Sequence, residues 1–548
     1  MLTQFHSTKA GILAGESRLH LEAIEDVACS ADNETFTKRE KEKFCKDTKK
    51  CENVKIKNYK TVNAQHVNIN AVGGALNDGQ DQAGYLSTKP VKKSTVRWSF
   101  KNLFVLGFSF MCVYTAFSSL QGLQSTVNHH NGIGVASLSC IYGATVVSCL
   151  ASPWIIQKLT TKWTIVISFS LFLVYIATNF YPKDFMLIPA SVLLGLLTGP
   201  LWSAQSTYTT TAAISYAQTI DILPEQAISK FNGIFNGIFQ TCHIWGNIFS
   251  AMVLSNNDTI HVNTKHINEN RTGKFCAAKD CGKFTLLEED MYLHIAETPP
   301  ESRYMLVSIF LCCAALGVIC IIALLDRNST TLTATKCSVS GTSSQDSFSA
   351  TLKLLRDPRL QLLTPLLVFM GLEQAFIYSE FTKAYVNCPL GLHNVGFIMT
   401  CFGTVNALSC FLIGFLSRQI KRYCIMLSGA IFTAGLLIVL LLWVPSIDDI
   451  IMFYVVVSCL GICDAIWVTQ TNTLFGVLFP DDQEAAFSNY RMFQAIGLAT
   501  AFGYSYFLCV RTKVLIMCAV MVISLGLYTI VELRLRRRQK HMAEIIVL

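Results

Sequence analysis

The sequence predicts an all-α polytopic membrane protein with about twelve transmembrane helices in two six-helix halves. Three observations lead there. Hydrophobic residues make up 52% of the 548-residue chain and charged residues only 15%; with a mean hydropathy of +0.42, this is neither an ordinary soluble enzyme nor a disordered chain. Apolar stretches of roughly 20 residues, enough to cross about 30 Å of hydrocarbon, recur about twelve times. They centre near Gly107, Tyr142, Ser170, Leu194, Phe239, Cys312, Glu373, Cys401, Thr433, Cys463, Ile496 and Val520. Six lie on each side of the polar run DRNSTTLTATKCSVSGTSSQDS, which has the composition of a flexible linker.

In chain order, residues 1–98 read as a basic cytosolic tail, because runs such as KREKEKFCKDTKK are too charged to enter a bilayer and too poor in aromatics to fold alone. No charged start with a short apolar segment and a small-residue cleavage site occurs there, so no cleaved signal peptide is expected. Residues 99–326 form the first membrane half, 327–357 a cytosolic Ser/Thr-rich linker, 358–533 the second half and 534–548 a second basic tail. After Tyr208, TTTAAISYAQTIDILPEQ fits either an amphipathic surface segment or the start of a span. Lys158, Lys162, Arg418, Lys421, Arg422 and the terminal RLRRRQK put both chain ends in the cytosol; Arg511 and Lys513 go against the count.

That topology exports the loop 255–301, and the loop carries two Asn-x-Thr acceptors, Asn257 and Asn270, which only a lumenal enzyme modifies. Asn33 and Asn328 match the same pattern on the cytosolic side. Cys276 and Cys281, in CAAKDC, share the oxidising compartment and are expected to pair as a disulfide. No metal site is expected, since no further His or Cys stands close to them. The remaining cysteines are scattered along spans, where Cys behaves as a small apolar residue.

An internal repeat supplies the architecture. The first span and the seventh align without gaps at Phe110/Phe369, Met111/Met370, Ala116/Ala375, Phe117/Phe376, Val127/Val386 and Asn128/Asn387; WSAQST from Trp202 answers WVTQTN from Trp467. Parallel six-helix halves are the plan of the major facilitator superfamily. In that plan every third helix from the first lines a central cavity. Here those helices carry Gln121 and Gln124; Trp202 and Gln205; Glu373, Gln374 and Glu380; and Asp464, Trp467 and Gln470.

Glu373 and Asp464 lie at similar depth, roughly 20 Å from the cytosolic ends of their helices at about 1.5 Å per residue. A carboxylate there costs about 2.5 to 3.5 kcal/mol on insertion scales. Their first-half counterparts, Tyr114 and Gly199, are uncharged. The pair is read in three ways: as carboxyls sharing a proton, as a cation site, or as structural acceptors for the bundle. Arg491 is not expected to partner Asp464, being nearer the level of Thr471. A local charge network with Glu484 is the expectation for it.

The fifth span carries Asn232, Asn236, Gln240, His243 and Asn247 on one helical stripe, with Gly233 and Gly237 giving a small-residue face. An interface zipper between the halves is the preferred reading over a ligand site.

GICDAIWVTQTNTLFGVLFPDDQEAAFSNYR, GLEQAFIYSEFTKAYV, GPLWSAQSTY and FQTCHIWGNIFS resemble the uncoordinated-93-like family, a divergent branch of that superfamily, from about Asn102 to Tyr528. The resemblance implies a non-enzymatic protein that acts as a regulatory partner of potassium channels or as an escort in receptor trafficking. Superfamily carriers have a Gly-x-Leu-x-Asp-Arg-x-Gly-Arg loop after the second helix. Here PWIIQKLTTK has Gln157 at the acid position and Thr160 at the second Gly, and the copy GFLSRQIKR keeps Gly414, Leu416 and Arg422 but has Arg418 for the acid. Both gates look degraded, which favours an accessory role.

The function expected is a regulatory or accessory subunit of a potassium channel in the cell membrane. The alternatives are a proton- or cation-coupled solute carrier using Glu373 and Asp464, and a trafficking chaperone in endosomal or endoplasmic reticulum membranes. Partners are membrane lipid and other membrane proteins such as channel subunits; no solute is identified. No phosphate loop, zinc helix, nucleophile elbow or Cys/His cluster is present, so neither catalysis nor a cofactor is expected. The net charge of +8 concentrates in tails and span ends, where anionic lipid rather than nucleic acid accounts for it. Replacing Asn257 and Asn270 together by Gln should raise gel mobility to that of the enzymatically deglycosylated wild type; unchanged mobility would place the loop in the cytosol.

Overall fold

The computed structural model describes residues 93–126, 133–181, 183–255, 276–281, 300–326, 350–505 and 507–547. Both Asn-x-Thr acceptors Asn257 and Asn270, most of the tail and linker expected from composition, and the side chain of Gln124 lie outside the described residues. Every regular element among them is helical, and nine helices are long and apolar enough to cross a membrane.

Nine becomes twelve crossings for three local reasons. First, Ile133–Thr178 is two helices, α2 and α3, on either side of Thr160 at φ 71°. Ser137 lies 3.5 Å from the Tyr175 hydroxyl, whereas a straight helix would hold these residues roughly 57 Å apart at 1.5 Å per residue. The chain therefore doubles back at Thr160, in the left-handed region that glycine favours, at the position where the superfamily loop has its glycine. Second, α5 is interrupted: it runs Pro224–Gln240, pauses at Thr241 and continues as Cys242–Ser255. Third, α11, Gln483–Tyr504, is too polar to register as a span by hydropathy, since it carries Asn489, Arg491 and Gln494.

The other helices are α1 (Lys93–Thr126), α4 (Asp184–Ile220), α6 (Pro300–Leu324), α7 (Pro358–Ala375), α8 (Leu392–Leu416), α9 (Arg422–Leu442), α10 (Ile450–Leu478) and α12 (Val510–Val547). The segment after Tyr208 is the continuation of α4, which stops at Asp221 in the left-handed conformation. Pro224 then opens α5 at the one position where a missing N–H costs nothing. Asp357 caps α7 by accepting from the Arg359 N–H at 2.7 Å. Beyond Ala375, α7 continues as a π-helix, Phe376–Asn387.

Across the two halves, α5 lies on α8 and α2 on α11. The first of these contacts depends on paired glycines: a Cβ at Gly233 would stand 2.6 Å from Gly414 Cα and from the Cys410 carbonyl. The internal repeat is visible in packing, because Phe110 meets Trp202 at 5.4 Å and Phe369 meets Trp467 at 5.8 Å between ring centres.

At one end of the bundle Arg422 binds Glu225 at 2.9 Å and Glu532 at 3.2 Å, Ser229 donates to Ser417 at 2.6 Å, and Gln157 donates to Glu484 at 3.3 Å. The loops whose superfamily motif is degraded thus still bond across the bundle, through different side chains. Glu484 does not form the expected network with Arg491, whose guanidinium turns inward.

The opposite end is closed by disulfides. The expected Cys276–Cys281 bond is replaced by two others: Cys276 bonds Cys388 at the end of the α7 π-segment, and Cys281 bonds Cys509 at the head of α12. The reason is the turn between them. Ala277–Lys279 forms a 3-10 helix with Ala277 at φ 61°, and the Asp280 carbonyl accepts from the Val510 N–H at 2.9 Å, so each cysteine is held against a different helix. A loop of the first half is in this way fastened to the second at two points. Peptide mapping without reduction should yield 276–388 and 281–509 cross-linked peptides. Cys281→Ser should lower stability by about 2–4 kcal/mol, read as a drop in melting temperature that a reductant does not deepen at that bond.

Candidate functional site

Asp464 is 1% exposed in the middle of α10. It survives there because three amide donors from three helices converge on it: Asn406 of α8 at 2.7 Å, Gln240 of α5 at 3.3 Å and Gln374 of α7 at 3.3 Å. A carboxylate accepts several such bonds, and bonds to an ionised acceptor are stronger than neutral ones.

The contacts continue from there. Gln374 accepts from Gln494 Nε2 at 2.9 Å, and Gln494 in turn accepts from Arg491 at 2.9 Å. Arg491 also donates to Ser206 of α4 at 3.2 Å and to Asn472 at 3.4 Å. Its guanidinium lies 4.8 Å from the Trp202 ring and 4.5 Å from that of Tyr490, a cation–π pair of contacts. A buried carboxyl and a buried guanidinium are therefore joined through two amides rather than in direct contact. The chain of bonds crosses both halves.

Of the residues expected to line a cavity, several do other work. Trp202 packs among Phe110, Tyr114 and Phe239 with Arg491 over it. Gln205 donates to Thr209 at 3.1 Å and accepts from Ser206 at 3.1 Å. Gln121 is buried beside Tyr142. Trp467 turns to α9 and donates to Thr433 at 3.1 Å. Gln470 reaches Ser417 at 3.2 Å and Ser229 at 3.4 Å, at the α5–α8 contact.

Glu373 and Glu380 part company. In an uninterrupted α-helix seven residues make nearly two turns, and the two carboxyls would share a face. The wider turns that begin at Phe376 rotate Glu380 away. It pairs instead with Lys513 of α12 at 2.7 Å, both side chains under a tenth exposed, and accepts from Ser505. Lys513 also donates to the Ser505 carbonyl at 2.8 Å. Nearby Asp280, in the disulfide turn, has its carboxyl pushed up by burial; Lys383 and Lys513 oppose the shift and Glu380 adds to it. Glu373 stays with Asp464, close enough to interact electrostatically, and is 4% exposed. Neither of its oxygens has a hydrogen-bond partner among the described residues.

The α5 stripe divides its tasks. Gln240 serves Asp464. His243 Nε2 meets the Tyr378 hydroxyl at 3.3 Å with the rings stacked at 5.3 Å, and Asn247 donates to the His243 carbonyl at 2.7 Å. Asn232 and Asn236 are buried with their amide nitrogens unpartnered among the described residues.

Sequence reasoning missed Asn406, a lone amide in the apolar run FGTVNALSCF, and Gln494, whose role depends on which way α11 is turned. It also missed Cys388 and Cys509, although both follow spans that end on the side predicted for Cys276. Lys513→Met should leave Glu380 buried without a cation and cost about 3–5 kcal/mol. Combining it with Glu380→Gln should recover most of that in thermal unfolding; no recovery would mean the pair is not coupled.

Residues 124–528 match the family model described as "Ion channel regulatory protein UNC-93". The chain is 38% identical over 435 residues to "Protein unc-93 homolog A" of Xenopus laevis, covering 79% of this chain and 93% of that protein. It is 30% identical over 407 residues to the Caenorhabditis elegans "Putative potassium channel regulatory protein unc-93", covering 73% of this chain and 56% of that one. Among solved structures, the E. coli fucose:proton symporter FucP superposes with a TM-score of 0.54 at 14% identity, over 78% of this chain and 98% of that one. The human organic anion transporter MFSD10 superposes with a TM-score of 0.52 at 11% identity, over 78% and 99%. At such identities these likenesses show a shared major facilitator fold and nothing of substrate.

Proposed function

Because the chain belongs to the UNC-93 family, we propose that it is a non-enzymatic accessory subunit of a potassium channel, resident in the cell membrane with both termini in the cytosol. The observation that carries this reading is the use made of the buried polar groups. The side chains of α4, α5, α7, α8, α10 and α11 that would hold a solute in a carrier are bonded to one another across the halves. A bundle fastened in this way is suited to present a stable lipid-facing surface to another membrane protein. The orientation draws support from Lys513. Paired with Glu380 and buried, it no longer counts as a free cation on the wrong side.

A second reading, a coupled solute carrier, is favoured by one observation, the Glu373 carboxyl, which has no hydrogen-bond partner among the described residues. Two measurements separate them. Mild-detergent purification of the tagged full-length protein from its native cells should recover a potassium channel subunit in near-stoichiometric amount, and co-expression should alter that channel's current. Asp464→Asn, which keeps one acceptor oxygen for the three amides, should preserve surface expression and partner recovery. Recovery of the protein alone, together with pH-driven solute uptake in liposomes that Asp464→Asn abolishes, would replace the regulator with the carrier.

A further inference from the structure

We propose that the Glu373 carboxyl is a site that takes up one unit of positive charge inside the bundle, as a proton or as a dehydrated monovalent metal ion. Two buried carboxyls of the second half, near enough to interact electrostatically, have opposite surroundings. Asp464 has three amide N–H groups aimed at it and is provided for as an anion. Glu373, 4% exposed, has no hydrogen-bond partner on either oxygen among the described residues. A bare carboxylate at that depth, with Asp464 as its neighbour, would be an uncompensated charge in a medium that solvates charge poorly.

Among the described residues, the buried cations of α11 and α12 are bonded to other groups. Asp464 and Cys463 of α10 and Tyr378 of its own helix are near enough to interact with Glu373 electrostatically. Arg491 of α11 gives its two terminal nitrogens to Gln494, Ser206 and Asn472, its Nε having no hydrogen-bond partner among the described residues, and Lys513 of α12 pairs with Glu380. His243 of α5 is held by Tyr378. Gln374 and Asn406 donate to Asp464. The carbonyl oxygen of Gln240, whose nitrogen serves Asp464, also has no hydrogen-bond partner among the described residues. What the cluster lacks is positive charge or an acidic hydrogen. A proton on Glu373 supplies it by making that oxygen a donor, and a small monovalent cation supplies it by accepting oxygen ligands. The inference holds whether or not a channel is the partner.

The test uses full-length protein in phosphatidylcholine nanodiscs. Infrared spectra at neutral pH should contain the carbonyl stretch of an un-ionised carboxylic acid that Glu373→Gln loses and Asp464→Asn keeps; this is the proton outcome. The metal outcome is no such band, with a saturable rise in melting temperature as potassium or sodium chloride replaces N-methylglucamine chloride at constant ionic strength, lost in Glu373→Gln. If Glu373→Gln matches wild type in both measurements, the proposal is wrong. Should that variant not fold, wild type carrying ¹³C-glutamate decides: a band shifted by the label and surviving in Glu484→Gln supports the proton. An unshifted spectrum with no cation response overturns the site.

Discussion

A carboxylate in the interior of a membrane bundle has to be met by donors, and in this protein that requirement organises the centre of the fold. Asp464 draws an amide from α5, another from α7 and a third from α8. None of those helices could shift by a turn without stripping it. Because Gln374 is shared with Gln494, and Gln494 with Arg491, the demand spreads to α11 and through Ser206 to α4. The close α5–α8 approach at Gly233 and Gly414 is the steric counterpart of that bonding, since Gln240 lies two helical turns beyond Gly233.

The two ends of the bundle are fastened by different chemistry. One end uses exchangeable contacts, the Arg422 ion pairs and the serine and glutamine bonds between loops. Such contacts near water are weak one by one. The other end uses covalent bonds, which tie the turn around Ala277–Lys279 to α7 and α12, with the buried Glu380–Lys513 pair just beneath them. Motion between the halves is thus resisted unequally. The π-helix in α7 lies between the regimes, joining the Asp464 centre to the disulfide end and turning Glu373 and Glu380 to separate neighbours.

The family and the fold agree with this picture at the level each can reach. The match over residues 124–528 places the chain among UNC-93 proteins. The superposition on the symporter FucP shows a shared fold and nothing of role. In this chain the first-half counterpart of the polar centre is aromatic. Phe110, Tyr114, Trp202 and Phe239 pack together there, with the Arg491 guanidinium over Trp202.

The amino-acid sequence by itself determined the membrane class, the two halves and their repeat, and the anomaly of Asp464. Hydropathy, span length and residue identity are local quantities that no packing can alter. Phe110 and Phe369 were matched by sequence alone, and each indeed packs on its matched tryptophan, Trp202 or Trp467. Only the tertiary structure decided which donors reach Asp464, because Asn406, Gln240 and Gln374 come from helices whose rotation and depth depend on one another. The same holds for the disulfides: Cys276 and Cys281 are near in sequence, yet the 3-10 turn between them and the positions of Cys388 and Cys509 direct them apart. Glu380 was expected to line the cavity with Glu373 and Gln374, whereas beyond the onset of the π-turns it pairs with Lys513.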